Sequence, residues 1–404
     1  MKSQRRKTLL GVALVAMSMA NLSIGISQGY AQGAAPFKLG FIASMTGPQS
    51  QSGFNGIAGL NLAVKEINAR GGIMGRQVQV ITADDQSDPT AAVNEMRRLV
   101  QREKVDAVAG PMSSQLVLAT LPIVTEAKIP SISISGSSAI TPQIGPYHFS
   151  LLPSSDAQAQ AIANHVEQVL KAKSAAIIHD VGAQSRSIAE ALTVEFKKRN
   201  IELTGRQEYA ATDTDMTPAL LSMRGKRPEV LVASVATGND TGYIIKNLGE
   251  MGWAPKVVGN MNVVIAPADT VKVAGPDAYK NAVGLAYNAL TYCKSDAPGS
   301  SDFAKYKQRL QAETGANYSR YSPVLAGMLY DIVYVLKAGL EGSKKTDGPS
   351  FGAWMEQNAA SVKVTSGNMF ASKTNHFLIG ASALGLAEDA DKIRSDGMTK
   401  RAGC

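Results

Sequence analysis

Short apolar runs alternate with longer amphipathic stretches along most of this chain, and that alternation restricts the fold more than any other feature. Phe37 to Ala43 reads as a buried strand ending in the polar loop Ser44 to Gly53. Phe54 to Arg70 then carries Ile57, Leu60, Ala63, Val64 and Ile67 at helical spacing. Gly71-Gly72 stops that helix, because glycine accepts the left-handed conformation of a C′ position. Val78 to Ala83 alternates as a strand. Asp88-Pro89 pairs an N-cap with proline at the first helical position, and a helix runs on to about Arg102. The unit recurs with strand Val105 to Ala109, a helix opened by Ser113, and strand Ile129 to Ser135. After Leu152 a second set begins: helix Asp156 to Leu170, strand Ala175 to His179 and helix Arg186 to Arg199. Strand Val230 to Ala233, helix Thr241 to Met251 and strand Lys256 to Gly259 complete it. Repeated βα units predict an α/β protein with parallel, doubly wound sheets, and two sets predict two Rossmann-like lobes. The 404 residues are too many for one compact core and suit two such lobes.

The first residues belong to a different pattern. Arg5, Arg6 and Lys7 form a positive segment, Leu9 to Met19 is apolar, and Gly29-Tyr30-Ala31 offers small residues where a signal peptidase needs them. Residues 1–31 therefore read as a signal peptide cleaved after Ala31, which places the mature protein in the periplasm. The formal charge of the whole chain is +8, and removing the leader's four cations (Lys2, Arg5, Arg6, Lys7) leaves +4. No Lys/Arg-rich run interleaved with aromatics occurs, so a nucleic-acid partner is not expected. No later stretch reads as long and apolar enough to span a bilayer. Cys293 and Cys404 are far apart, and that separation favours two unpaired thiols.

In open α/β sheets, ligands bind beyond the carboxyl ends of the strands. The loops in question are Ser44–Gly53, Gly110–Ser114, Ser135–Ser138, Asp180–Ser185, Ser234–Asp240 and Gly259–Asn262. Their richness in Ser, Thr, Asn and Gly suits hydrogen bonding to a small solute better than acid–base chemistry. Ser44-Met45-Thr46-Gly47-Pro48 is not a dinucleotide turn, no Gly-x-Ser-x-Gly elbow occurs, and the four histidines lack metal-ligand spacing. The expectation is a binding protein, not an enzyme, with no cofactor and no metal. His179, at a strand end, is the one histidine placed beside a cleft.

Lys38-Leu39-Gly40 with Thr46-Gly47-Pro48, then Ala63 to Asn68 and Gly71-Gly72-Ile73-Met74-Gly75, resembles the opening of the periplasmic leucine/isoleucine/valine-binding protein family. Asp84-Asp85-Gln86-Ser87-Asp88-Pro89, Gly110 with Ser113-Ser114, and Ile177-Ile178-His179-Asp180 extend the resemblance in order, and it weakens after Gly284. The resemblance implies a type I periplasmic-binding fold with a three-crossover hinge, a small-molecule solute held by hinge closure, and a monomer that delivers it to an ABC transporter membrane permease. A sensing module of the same fold, reporting to a receptor, is the alternative. Crossovers are expected near Leu151–Ser154, Gly284–Asn288 and Val362–Ser366. The first lobe would then take 37–152 and 287–361, and the second 153–286 and 362–404.

The same resemblance assigns the ligand's carboxylate to Ser113, Ser137 and Ser138, and Ser114 joins Ser113 at the start of a helix beside the cleft. Ser113 opens a helix, where free N–H groups and the dipole favour an anion, although an ordinary N-cap would also be serine. The rest departs from the family pattern. Gln184 replaces a tyrosine, a second tyrosine position falls near Thr237 or Gly238, and Ser52 stands where leucine-binding relatives carry an aromatic. The acid that pairs with a ligand ammonium falls at Met261, between Asn260 and Asn262, and the family's disulfide positions are Ser87 and Met112. An unpaired buried ammonium is costly. A carboxylate-bearing solute lacking the ammonium, an aromatic or aliphatic acid, is therefore expected beside the amino acids, with Asp180 or Asp240 as substitutes for the missing acid. Tyr147, Tyr243, Trp253 and Tyr287 are open between pocket and packing roles.

Overall fold

The computed structural model describes residues 35–404. The leader, with its expected cleavage after Ala31, lies outside the described residues. Five strands, β1 (Phe37–Ala43), β2 (Val78–Asp84), β3 (Ala107–Ala109), β4 (Ser131–Ser133) and β5 (His148–Ser150), form the first sheet in the order β2-β1-β3-β4-β5. All its pairings are parallel. Around it pack α1 (Ser50–Ala69), α2 (Pro89–Arg97) and α3 (Ser114–Glu126). Asp88 caps α2 as expected, its carboxylate accepting the Ala91 N–H at 2.8 Å with Pro89 at the first helical position.

The chain then enters the second lobe through α4 (Ser155–Asn164). That lobe carries β6 (Ser174–Asp180), α5 (Ala183–Lys198), β7 (Glu202–Tyr209), α6 (Thr217–Arg224), β8 (Val230–Ser234), α7 (Gly238–Glu250) and β9 (Lys256–Gly259). The short α8 (Asn262–Ile265), α9 (Pro267–Ala274), β10 (Ala282–Tyr287) and β11 (Thr291–Tyr292) follow. Helices α10 (Asp302–Thr314), α11 (Pro323–Ser343) and α12 (Gly348–Asn358) return to the first lobe, and β12 (Leu384–Glu388) and β13 (Thr399–Arg401) close the second sheet. Its order is β11-β13-β12-β10-β9-β8-β6-β7. From β7 to β10 it is parallel, but β12 runs antiparallel to both β10 and β13. The predicted α/β class with parallel sheets in two lobes holds, and β12 adds an antiparallel strand beside β10.

Helix α11 is long and apolar enough to cross a membrane by length and composition, with a mean hydropathy of 1.4 in its most apolar window. This corrects the expectation that no later stretch reaches that threshold. Most of it is buried against α1, the first sheet and α12, as a core helix of the first lobe. Gly59 makes the closest approach possible: a Cβ there would sit 1.7 Å from the Ala326 carbonyl oxygen, so only glycine lets α1 and α11 pack at this distance.

The first crossing lies between the end of β5 and Ser154, which caps α4 through the Ala157 N–H. The other two come later than Gly284–Asn288 and Val362–Ser366. Thr291 and Tyr292 still pair with β13 in the second sheet, so that crossing runs over residues 293–301. Thr365 and Ser366 are held on the first lobe by Asp331 of α11, whose carboxylate accepts both their N–H groups and both hydroxyls at 2.6–2.9 Å. The chain stays there until Leu378, whose N–H donates to the Ser150 carbonyl at 2.8 Å, and crosses only before β12. Tyr287 is buried and donates its hydroxyl to the Leu151 carbonyl at 3.0 Å, fastening β10 to the first crossing.

Cys293 and Cys404 form a disulfide, with Cα atoms 5.3 Å apart across 111 residues of sequence. The expectation of free thiols is overturned for a topological reason. β11 and β13 pair in parallel, Tyr292 opposite Lys400, so the residues that follow both strands emerge side by side.

Candidate functional site

Both sheets reverse strand order beside their first strand. In the first sheet β2 and β3 lie on opposite sides of β1, and in the second β7 and β8 flank β6, so the loops after β1, β3, β6 and β8 open at the two switch points. All four line one cleft between the lobes. It encloses about 1050 Å³, counted out to its open side. Pro48 and Gln49 follow β1, Met112 to Gln115 follow β3, Asp180 to Ser185 follow β6, and Ala236 to Asn239 follow β8. Ile134, Leu152, Leu325 and Met328 give the first-lobe wall an apolar body.

Among the helices that start at this cleft are α3 at Ser114, α5 at Ala183 and α7 at Gly238. The first-turn N–H groups of a helix have no partner within it, and the dipole adds partial positive charge at the same end. The cleft therefore offers donors and positive potential although no Lys, Arg or His is among the described residues lining it. Ser113 has extended backbone at the N-cap of α3 but its side chain makes no capping bond, which leaves the hydroxyl for another partner. Ser114 is buried, and its Oγ accepts the N–H groups of Gly136 and Ser137 at 3.1 and 3.2 Å. An oxygen accepting twice keeps its own proton to donate.

A periplasmic binding protein family model matches residues 36–391. The chain belongs to that family. This periplasmic binding protein is 23% identical over 337 residues to "Leu/Ile/Val-binding protein homolog 7" of Brucella abortus, covering 80% of this chain and 82% of that one. Among solved structures it is similar to the branched-chain amino acid transporter substrate binding protein LivJ from Streptococcus pneumoniae in complex with isoleucine. That match has a TM-score of 0.73 and 22% identity over 90% of this chain and 97% of that one. It is also similar to a solute binding protein of an ABC transporter from Rhodopseudomonas palustris in complex with 3,4-dihydroxybenzoic acid, at TM-score 0.74 and 20% identity over 90% and 95%. The type I fold is common to all of these.

Of the residues singled out in the sequence, Ser52, Ser113, Ser114, Gln184 and Thr237 come together on the cleft of this binding protein. Ser137, Ser138, Asn260 and Met261 are not on its lining. The Ser137 N–H is taken by Ser114, and the Ser138 N–H reaches the other lobe, donating to Ser187 Oγ at 3.2 Å. Asn260 is fully buried and ties two strand ends, its Nδ2 donating to the Val235 carbonyl at 2.9 Å. Met261 is buried in the core beneath the cleft, an apolar residue where the family pattern has an acid. The side chain of Thr237 is engaged in a capping box: its Oγ1 accepts the Asp240 N–H at 3.2 Å while Asp240 accepts the Thr237 N–H at 3.0 Å. None of Tyr147, Tyr243, Trp253 or Tyr287 lines the cleft.

The acids that stand near Met261's vacated role have separate surroundings. Asp180 lines the cleft but is buried, and its carboxylate already accepts the Gly182 N–H at 2.6 Å and the Ser185 hydroxyl. Burial raises its pKa. Asp240 sits behind the lining, pushed up to about 6 by burial and by the nearby Asp180. His179 is turned away from the cleft between the Asp180 carbonyl and Arg206, each at 2.9 Å, and burial lowers its pKa. Asp269, absent from the sequence expectations, lines the cleft from the first turn of α9. The signal for it was an acid two residues after a helix-initiating proline (Pro267), directly downstream of the inspected loop Gly259–Asn262.

Proposed function

We propose that this protein is the extracytoplasmic solute-binding component of an ABC importer. It captures a small carboxylate-bearing solute by closing its two lobes, delivers it to a membrane permease, and catalyses no reaction. The leader is removed after Ala31, and the mature monomer works in the periplasm. The observation that carries the reading is the start of α3: an uncapped Ser113 hydroxyl, a Ser114 proton and unpaired first-turn N–H groups face α5 and α7 across the cleft. This arrangement suits a carboxylate held by neutral donors, since an anion at a helix N-terminus needs no cationic side chain. The two relatives with bound ligands support that class, because isoleucine and 3,4-dihydroxybenzoic acid share only the carboxylate.

Closure follows from the same geometry. Ser113 and Ser114 stand on the first lobe and Gln184 and Thr237 on the second, so a solute touching both is bound more tightly by the closed form and shifts the equilibrium towards it. Thermal-shift screening of mature protein, unfolded and refolded to strip carried-over solute, tests the proposal. At 100 times its dissociation constant a ligand stabilises by roughly 2.7 kcal/mol. A shift with amino acids or simple organic acids, accompanied by compaction in small-angle scattering, is the expected result. No response from any carboxylate would refute the reading.

A further inference from the structure

Another cavity lies outside the cleft, at the hinge. It spans about 760 Å³ counted out to solvent, and its walls come from both lobes. Asn288, Thr291 and Arg401 line it from the edge of the second sheet, where β11 and β13 pair. Ser300 and Ser301 line it from the end of the crossing over residues 293–301, where Ser301 caps α10 through the Ala304 N–H at 3.1 Å. Helix α10 packs on α1 and α11, so this wall belongs to the first lobe. Solute capture in the cleft gives the hinge cavity no role.

Two arginines line this space, and they differ in what neutralises them. Arg394 is satisfied: its Nε and Nη2 donate to Asp396 at 3.0 and 2.7 Å, and its Nη1 donates to the Asp296 carbonyl at 2.9 Å. Arg401 is half-buried and donates to neutral oxygens, from Nε to Thr291 Oγ1 and from Nη2 to the Asn288 carbonyl, each at 2.8 Å. Among the described residues it has no ion-pair partner, and its Nη1 has no acceptor. Those two bonds fix the plane of the guanidinium. The Cys293–Cys404 disulfide ties the segment after β13 to the start of the crossing, so the strand carrying Arg401 is held as well. Asp296, the acid on the lining, is exposed to water and accepts the Cys293 N–H at 2.9 Å instead of pairing with Arg401. A fixed, partly desolvated guanidinium with free N–H groups and no carboxylate is completed by an anion.

We propose that this hinge cavity is an anion site separate from the cleft, taking a small tetrahedral oxyanion such as inorganic phosphate or sulfate. Arg401 supplies the charge and the free N–H groups of Nη1. Ser301, at the start of α10, places the positive end of that helix's dipole on the same cavity. An anion held by Arg401 on one lobe and by the approach to α10 on the other is bound most tightly at one lobe angle. The site therefore couples to closure. By linkage, solute in the cleft changes the affinity for the anion by the same factor as the anion changes the affinity for solute.

The competing role for Arg401 is structural, fastening β13 to the connection between β10 and β11 through Thr291 and Asn288. Titration calorimetry of the mature protein with inorganic phosphate, and separately with sulfate, decides between the two, with sodium chloride holding the ionic strength constant. The expected result is saturable binding of one anion per chain. Arg401→Gln should weaken it roughly ten- to a hundredfold, and Arg401→Lys should retain part of it. Ala297→Asp leaves the bonds of Arg401 in place, sets a carboxylate on the cavity wall, and should weaken anion binding as well. Ser113→Ala, in the cleft, should leave anion binding unchanged. No saturable binding by the parent protein would overturn the proposal. So would binding that survives both Arg401→Gln and Ala297→Asp, the sign that Arg401 is only a fastener. Binding abolished by Ser113→Ala but not by Arg401→Gln would place the anion in the cleft and equally overturn it.

Discussion

Ser113 and Ser114 are neighbours in sequence with different work to do, and the difference can be measured. Ser113 makes no capping bond, so Ser113→Ala should leave the melting temperature near that of the parent and weaken solute binding by about 1–3 kcal/mol, read by calorimetry. Ser114 accepts two buried N–H groups, and Ser114→Ala strands both. That variant should lose stability as well as affinity, by about 1–3 kcal/mol in denaturant unfolding. Asp240 and Asp331 give a second residue-scale prediction. Burial holds each at about 6 in the folded protein, above the ordinary carboxylate value of 3.8. The folded state thus binds these protons more tightly than the unfolded chain. The contribution of these two groups is fully present below pH 4 and is lost as pH rises through 6, on the order of 3 kcal/mol for each. Urea unfolding at a series of pH values should show this decline, and Asp240→Asn should make it shallower. An Asp240→Asn variant whose pH profile matches the parent would contradict the assignment.

At the scale of elements, the disulfide and the close helix pair carry the sharpest consequences. Cys293–Cys404 closes a loop spanning 111 residues, joining the end of β11 to the segment after β13. Replacing both cysteines by serine should cost roughly 2–5 kcal/mol, mostly through the freed unfolded chain. The effect should appear equally in reduced parent protein and in the double variant. Gly59→Ala tests the packing of α1 on α11. Its new methyl would meet the Ala326 carbonyl, so the helices must separate, at a cost of about 1–3 kcal/mol in thermal or denaturant unfolding. A neutral result would mean that the pair is looser than the geometry implies.

For the whole molecule the question is what holds the lobes together besides solute. Among the hydrogen bonds that join the lobes, the Ser138 N–H donates to Ser187 Oγ at 3.2 Å, and the Ser322 hydroxyl donates to the Ile265 carbonyl at 2.7 Å. Neither Ser138 nor Ser187 lines the cavity. Ser187→Ala should therefore raise the dissociation constant several-fold, corresponding to about 0.5–1.5 kcal/mol, without altering the preference among ligands. Small-angle scattering of the free variant should show a more open average shape. An unchanged affinity would place the closing energy in the solute contacts alone.

How far the sequence reached can be seen element by element. The periodicity of 37–43, 54–70 and 175–179 marked strands and helices that the structure contains, because central strands and core-facing helices are buried continuously and their pattern is strong. Strand β7 was not marked. It lies at the edge of its sheet with alternate residues exposed, and its Gly205, Arg206 and Gln207 weaken the signal. The loops after the strands pointed to the cleft because strand order and ligand position are linked in any doubly wound sheet, so Ser52, Ser113, Ser114, Gln184 and Thr237 were within reach. Other features depended on contacts far apart in the chain. Asp331 holding Thr365 and Ser366, β11 lying beside β13, and Asp269 arriving at the mouth of α7 each join segments that no local pattern relates. The sequence by itself determined the α/β class, the two lobes and the family, since those follow from local periodicity and ordered motifs. Only the tertiary structure decided where the chain crosses between lobes, that the cysteines pair, and which acids line the cleft, because these depend on which distant residues the packed sheets bring side by side.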